Sequence, residues 1–222
     1  MLSTKLSEAI KNQEISNEEK CDDAIKLSMK LHAYEESKDA YLKEQITEYA
    51  DRDNRYTFSG TAYVCANAIN GTDKYNNKAV AVYEDLLKNI SSTDTTDLCT
   101  AVKTMPFYMM AETKLGKKEH YNDITVRFKA LTDKISKEFT ADEAARYLVT
   151  VINVMEYMSQ ELFEHYMALA DMFKNMLKAS KDKLLSADAT TKMYAAYAVN
   201  RACDMRVILT EKYEALAEEL LA

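Results

Sequence analysis

The sequence predicts an all-α fold of tandem αα-hairpins, and three observations predict it. Only three glycines and one proline occur in 222 residues. That is too few turn residues for a β-sandwich or a Rossmann fold, and it favours long helices with short connections. Apolar side chains recur at helical spacing. Met105, Tyr108, Met109 and Glu112 fall at i, i+3, i+4 and i+7, so three apolar groups and one carboxylate share a stripe. The chain also repeats. Tyr75, Tyr121, Tyr166 and Tyr213 are spaced by 46, 45 and 47 residues. At +3 from them stand Lys78, Ile124, Leu169 and Leu216, at +4 the small residues Ala79, Thr125, Ala170 and Ala217, and at +7 Val82, Phe128, Phe173 and Leu220. A fixed period in this range marks a repeat architecture.

The elements follow in order. Residues 4–13 form a short first helix. Ser16-Asn17-Glu18-Glu19 is a capping box that starts a second helix at Asn17, with Cys21, Ala24, Ile25, Ser28, Leu31 and His32 on one side. A break falls near Tyr34–Ser37, and Lys38 to Ala50 continues as helix. The charged loop Asp51-Arg52-Asp53-Asn54-Arg55 precedes a helix capped by Ser59 and stopped by Gly71, with a return helix over Lys74–Asn89. Ser91–Thr96 is a loop. The next helix meets Pro106, which either kinks it or opens a new one. Thr104 to Phe128 is the clearest hairpin: a helix, the Gly116 stop, and a helix back through Tyr121, Ile124, Thr125 and Phe128. Thr140-Ala141-Asp142-Glu143 is a second capping box, opening a helix from Ala141 to about Met158. Ser159 caps its return to about Ala179, Lys181-Asp182-Lys183 reads as a solvated turn, and Ser186 or Asp188 starts the last hairpin, whose second helix Thr210 caps.

Helices of about 15 residues are roughly 22 Å long. Hairpins of that size stack into an open solenoid or curve into an α/α toroid whose first helices are buried and whose second helices face water. Tyr147–Tyr157 and Tyr194–Val199 are apolar nearly all round, and the return helices carry Lys, Glu and Asp on one side. The reading is one all-helical domain over 1–222, with N-terminal helices in 1–50 and repeated hairpins in 51–222. At this length it would bury roughly 70% of its unfolded surface.

The formal net charge is −7 and the isoelectric point about 5.2. An acidic chain without a basic run argues against nucleic acid and anionic membrane as partners, and requires locally clustered Lys or Arg for any anionic ligand. No apolar run approaches the roughly 18 residues of a membrane span, and the first residues show no signal peptide. Cys21, Cys65, Cys99 and Cys203 form no metal or disulfide spacing, which fits buried thiols in a cytoplasmic protein. No phosphate loop, metal motif or Ser/His/Asp arrangement is present, and His32, His120 and His165 are scattered. No cofactor is expected.

Met105-Pro106-Phe107-Tyr108-Met109 with Glu112-Thr113-Lys114, followed by Tyr121-Asn122-Asp123-Ile124, resembles the unsaturated rhamnogalacturonyl and glucuronyl hydrolases, glycoside hydrolase families 105 and 88. Val149–Met176 and Thr191–Tyr213 are similar to the same family's C-terminal half. The resemblance covers residues 50–222. It implies an incomplete (α/α)6-type toroid and an enzyme that hydrates the terminal unsaturated uronic acid left by polysaccharide lyases, with an aspartate as general acid and base and no metal. The chain departs from that pattern in two ways. Six hairpins would need about 276 residues, and the positions where the resemblance expects the catalytic aspartate hold Cys99 and Thr100.

Asp97, by a register shift, and Asp53, by spacing, are therefore the candidate catalytic acids. Tyr108, Glu112 and Tyr63 are the candidate substrate-binding residues, and Tyr147, Tyr157, Tyr194 and Tyr197 are further rings that could stack on sugars. Each has a structural alternative: Asp97 at a helix start favours the dipole, Asp53 sits in a charged loop, and aromatics at helical spacing pack cores. Two functions follow: a shortened uronyl hydrolase relative that acts on or binds acidic oligosaccharides, or a helical-repeat scaffold that binds a protein partner or its own copy through uncapped hairpin faces.

Overall fold

The computed structural model describes residues 2–15, 22–51, 59–89, 108, 110–112, 114–115, 126, 130, 139–157, 163–208 and 210–222. Among them every regular element is a helix: α1 (Thr4–Lys11), α2 (Asp22–Ser37), α3 (Ala40–Asp51), α4 (Ser59–Asn70), α5 (Asn76–Asn89), α6 (Ala141–Tyr157), α7 (Phe163–Leu185), α8 (Ala189–Asp204) and α9 (Thr210–Leu221). Tyr108, Met110–Glu112 and Lys114 are also helical. Two compact units result: a central unit of Gln13–Asp133, and a terminal unit joining Met1–Asn12 to Lys134–Ala222.

In the terminal unit, α6/α7 and α8/α9 are consecutive hairpins, and their first helices, α6 and α8, pack against each other. Both first helices are buried on nearly every side: Ala144 to Met155 in α6, apart from Arg146, and Met193 to Val199 in α8. Their partners α7 and α9 alternate buried Leu169, Phe173, Leu177, Leu216 and Leu220 with exposed charged residues. The short α1 packs on α8 through Leu6 and Ile10, one turn apart. Ser3 caps it by accepting the Leu6 N–H at 3.2 Å, and Lys5 Nζ donates to the Leu221 carbonyl of α9.

The capping box at Thr140 forms as the sequence predicts. The Glu143 N–H donates to Thr140 Oγ1 at 3.1 Å, and the Glu143 carboxylate accepts the Thr140 N–H at 2.7 Å. Asp188, not Ser186, caps α8 by accepting the Thr191 N–H at 3.0 Å. The Ser186 hydroxyl turns back to the Asp182 carbonyl instead. The turn expected at Lys181-Asp182-Lys183 is helix, because α7 runs on to Leu185. No breaker stands there, and buried Ser180 and Leu184 hold the last turns to the core.

In the central unit, α2/α3 and α4/α5 are again hairpins whose first helices touch. The break between α2 and α3 falls at Lys38–Asp39, just after the expected Tyr34–Ser37. Lys38 adopts φ 57° and donates its N–H to the Tyr34 carbonyl at 2.7 Å, and Asp39 then caps α3 through the Tyr41 N–H at 2.8 Å. The expected capping box at Ser16–Glu19 lies outside the described residues.

Tyr166 and Tyr213 each stand fourth in a return helix, and the residues at +3, +4 and +7 from both are buried. Tyr75 differs. Its carbonyl accepts the first helical bond of α5, from the Ala79 N–H, Lys78 is exposed, and Val82 is half-buried. Tyr121 lies outside the described residues.

Candidate functional site

The site is built by the turn between α4 and α5. Gly71, at φ +61°, occupies the left-handed position after α4, and the Thr72 N–H returns to the Asn67 carbonyl at 3.1 Å, closing a Schellman turn. The reversal brings Asn67, in the last turns of α4, against Asn76, the first residue of α5. Asn67 Nδ2 donates to Asn76 Oδ1 at 2.8 Å, and Asn67 Oδ1 accepts the Tyr75 N–H at 3.1 Å. Asn76 Nδ2 donates to Asp73 Oδ1 at 3.1 Å.

Both asparagines are buried, at 5% and 3% exposure, yet both line a cleft of about 260 Å³. Thr72, Asp73 and Lys114 complete the polar part of its wall, and Val64, Ala68 and Met110 line the apolar part. A carboxamide nitrogen carries two N–H donors. Among the described residues one of each pair is engaged, by Asn76 Oδ1 and by Asp73 Oδ1. The cleft therefore combines two buried amides, one carboxylate and one exposed ammonium, a set that suits hydroxyl and carboxylate oxygens.

Tyr108 and Glu112 come together but do not line this cleft. The Tyr108 hydroxyl donates to Glu112 Oε1 at 3.0 Å, and the Tyr108 ring stacks on Tyr83 with centroids 4.0 Å apart. Glu112 is only 1% exposed. Burial first, then the Glu112 charge, push the Tyr108 phenol far above its ordinary range, so it remains a donor. Met110 and Lys114 lie two residues from Glu112 on either side, about 200° round the helix, and their side of the helix meets the cleft. Tyr63 is buried and stacks on Tyr75 at 5.3 Å and 18°, so its ring is part of the core of the turn. Tyr147, Tyr194 and Tyr197 are buried in the terminal unit. Asp97 and Asp53 lie outside the described residues.

Asn67, Asp73 and Asn76 are not among the candidate site residues of the sequence reading, and Lys114 stands in it only within the Glu112-Thr113-Lys114 motif of the resemblance. The available signal was two asparagines flanking a glycine stop. Asn67 sits in an apolar run, Tyr63-Val64-Cys65-Ala66, and its role is visible only once the chain reverses.

A second cleft of about 280 Å³ lies along α3, lined by Ile15, Tyr41, Glu44, Gln45 and Glu48. Behind it the fully buried Lys30 donates from Nζ to Gln45 Oε1 at 2.9 Å. Burial first, then the Lys26 charge, bring Lys30 down to about 8. Among the described residues no group of three or more His, Cys, Asp or Glu side chains could hold a metal ion, and no helix is long and apolar enough to cross a membrane. Cys65 and Cys203 are buried free thiols. Compared with protein-family models, with curated proteins and with solved structures, the chain finds no match in any of the three.

Proposed function

We propose that this chain is a shortened relative of the unsaturated uronyl hydrolases, an arc of an incomplete (α/α)6-type toroid, that binds a lyase-derived acidic oligosaccharide without hydrolysing it. The observation that carries the binding is the α4–α5 cleft, whose lining includes two buried asparagines, an exposed lysine and an aspartate. Lys114 supplies the charge for a uronate, and the Asn67 and Asn76 amides supply donors for ring hydroxyls. The cleft's carboxylate, Asp73, accepts from Asn76 through Oδ1.

Calorimetric titration with unsaturated galacturonyl-rhamnose, with the double-bond absorbance followed in parallel, tests this. Binding should be saturable, should weaken about three-fold in Lys114→Met, and should leave the absorbance unchanged. Absence of binding at high ligand concentration overturns the reading. Loss of absorbance replaces it with hydrolysis, and Asp97→Asn and Asp53→Asn then identify the acid.

A second reading, a helical-repeat interaction protein, is favoured by the large apolar side chains left at the surface, with Tyr41 51% exposed and Met167 and Val126 also exposed. It expects self-association or capture of a protein partner. A strict monomer in light scattering that binds the sugar counts against it.

A further inference from the structure

The α4–α5 cleft is lined by charges of both signs that do not pair with each other. Lys114 and Asp73 both line it, and both are exposed. Among the described residues neither takes part in an ion pair, and the Lys114 ammonium makes no hydrogen bond. The Asp73 carboxylate makes one, through Oδ1, which accepts from Asn76 Nδ2 at 3.1 Å. That bond anchors an exposed side chain to a buried one. Asn76 is 3% exposed, and its Oδ1 in turn accepts from the buried Asn67 amide at 2.8 Å. One carboxylate oxygen is thereby fixed to the wall before any ligand arrives.

The rest of the lining is apolar, from Val64, Ala68 and Met110. Methionine is unbranched and adapts to irregular aliphatic shapes. The volume, about 260 Å³, falls just below the roughly 300–1,000 Å³ of sites for drug-sized ligands, so it suits one small molecule. A molecule that matches all three features carries an anion, a cation and an aliphatic group within a few bonds of one another. An acidic sugar matches Lys114 alone. Its carboxylate shares the cleft with Asp73, and like charges in one site repel. A zwitterion brings no net charge and gives both Lys114 and Asp73 a charge-assisted partner.

We propose that the cleft takes a free α-amino acid with an aliphatic side chain. Its carboxylate meets Lys114, its ammonium meets Asp73, and its side chain lies against Val64, Ala68 and Met110. The inference goes beyond the uronate reading and does not depend on it. The two readings share Lys114 and part at Asp73.

The test is calorimetric titration of the full chain with L-leucine, with isocaproate, which is leucine without its ammonium, and with L-leucinamide, which lacks the carboxylate. Galacturonate is titrated alongside. Leucine should bind saturably, and each analogue about ten-fold more weakly. Asp73→Asn should bind leucine no tighter than isocaproate, and Lys114→Met should bind it no tighter than leucinamide. Asparagine keeps an acceptor for the Asn76 amide, and an unchanged helical circular dichroism spectrum confirms the fold of both variants. This crossed pattern assigns each charge to its own partner, which a general loss of shape would not do. Leucine that fails to bind the unaltered chain, or binds no tighter than its analogues, overturns the inference, as does a preference that survives in the variants. Galacturonate binding without leucine overturns it and leaves the uronate reading standing. Leucine binding without galacturonate supports it and removes the uronate reading.

Discussion

The two units bury polar groups in different ways, and the difference separates scaffold from site. In the terminal unit, buried hydroxyls are satisfied within their own helix: Thr150 donates to the Arg146 carbonyl and Ser180 to the Met176 carbonyl, each at 2.7 Å. Its charges lie toward helix ends, as in the Arg146–Asp142 pair at 2.9 Å and the bond from Arg201 to Glu156. In the central unit Ser28 is satisfied in the same local way, by the Ile25 carbonyl at 2.7 Å, but other buried polar side chains reach across elements or pair with each other: Lys30 with Gln45, Asn67 with Asn76, Tyr108 with Glu112. Local satisfaction leaves little chemistry for a ligand. Side-chain networks cost desolvation and depend on every member, and those are the places where a protein can exchange an internal bond for a ligand's.

The largest expected effect tests the apolar character of the terminal unit. Phe173 is fully buried in α7. Phe173→Ala should destabilise the chain by about 3–5 kcal/mol, the range for a large core truncation, read as a fall in the urea unfolding midpoint. A loss below about 1 kcal/mol would mean that the site collapses easily and that this core is not close-packed.

In the central unit the corresponding change should have the opposite sign. Lys30 is buried, and its pKa falls from 10.5 to about 8. Because the folded value lies below the unfolded one, the unfolded chain binds more protons between them, and stability rises with pH across that window. Below about 8 the full penalty of burying the charge stands. The Gln45 amide that holds Nζ lines a solvent cleft, so screening reduces the penalty to about 1–2 kcal/mol. Lys30→Met should stabilise the protein by that amount at neutral pH and flatten the pH dependence above 8 in thermal melts. A destabilised variant with the slope retained would show that the Gln45 bond outweighs the desolvation.

What was legible in the sequence follows the same division. Local chemistry showed clearly: the Thr140 capping box, the Gly71 stop and a start at Ser186 or Asp188, of which Asp188 is the cap, all depend on groups within a few residues of the backbone they satisfy. The repeat pattern reads correctly for Tyr166 and Tyr213, whose +3, +4 and +7 positions are buried. It slips at Tyr75, which caps its helix where the others sit one turn inside. Long-range pairing was hidden. Periodicity placed Glu112 on the stripe of Tyr108, and the structure keeps them together, but that stripe is core and the cleft uses Met110 and Lys114. Asn67 and Asn76 are nine residues apart, and nothing local in either shows that their amides meet. The α2–α3 break was misplaced because its terminating residue is a lysine, whose positive φ no composition rule signals.

That lysine supplies the smallest and sharpest contrast. Lys38 in the central unit and Arg206 in the terminal unit are both held at φ 57°, a conformation that suits glycine. Arg206 ends α8 in a full Schellman turn, with its own N–H on the Cys203 carbonyl at 3.0 Å and the Val207 N–H on the Ala202 carbonyl at 2.8 Å. Lys38 makes a single bond to the Tyr34 carbonyl, and its ammonium lies 5.2 Å from the Tyr34 ring centroid. Arg206→Gly should therefore stabilise by about 0.5–1 kcal/mol as backbone strain is relieved. Lys38→Gly should gain less, because relief of the same strain is offset by loss of the cation–π contact, worth about 0.5 kcal/mol at an exposed site. Lys38→Met, which keeps the strain and loses only the charge, separates the two terms. Equal gains for the two glycine variants would show that the Tyr34 contact contributes nothing, and that the central unit's side-chain interactions matter only where they are buried.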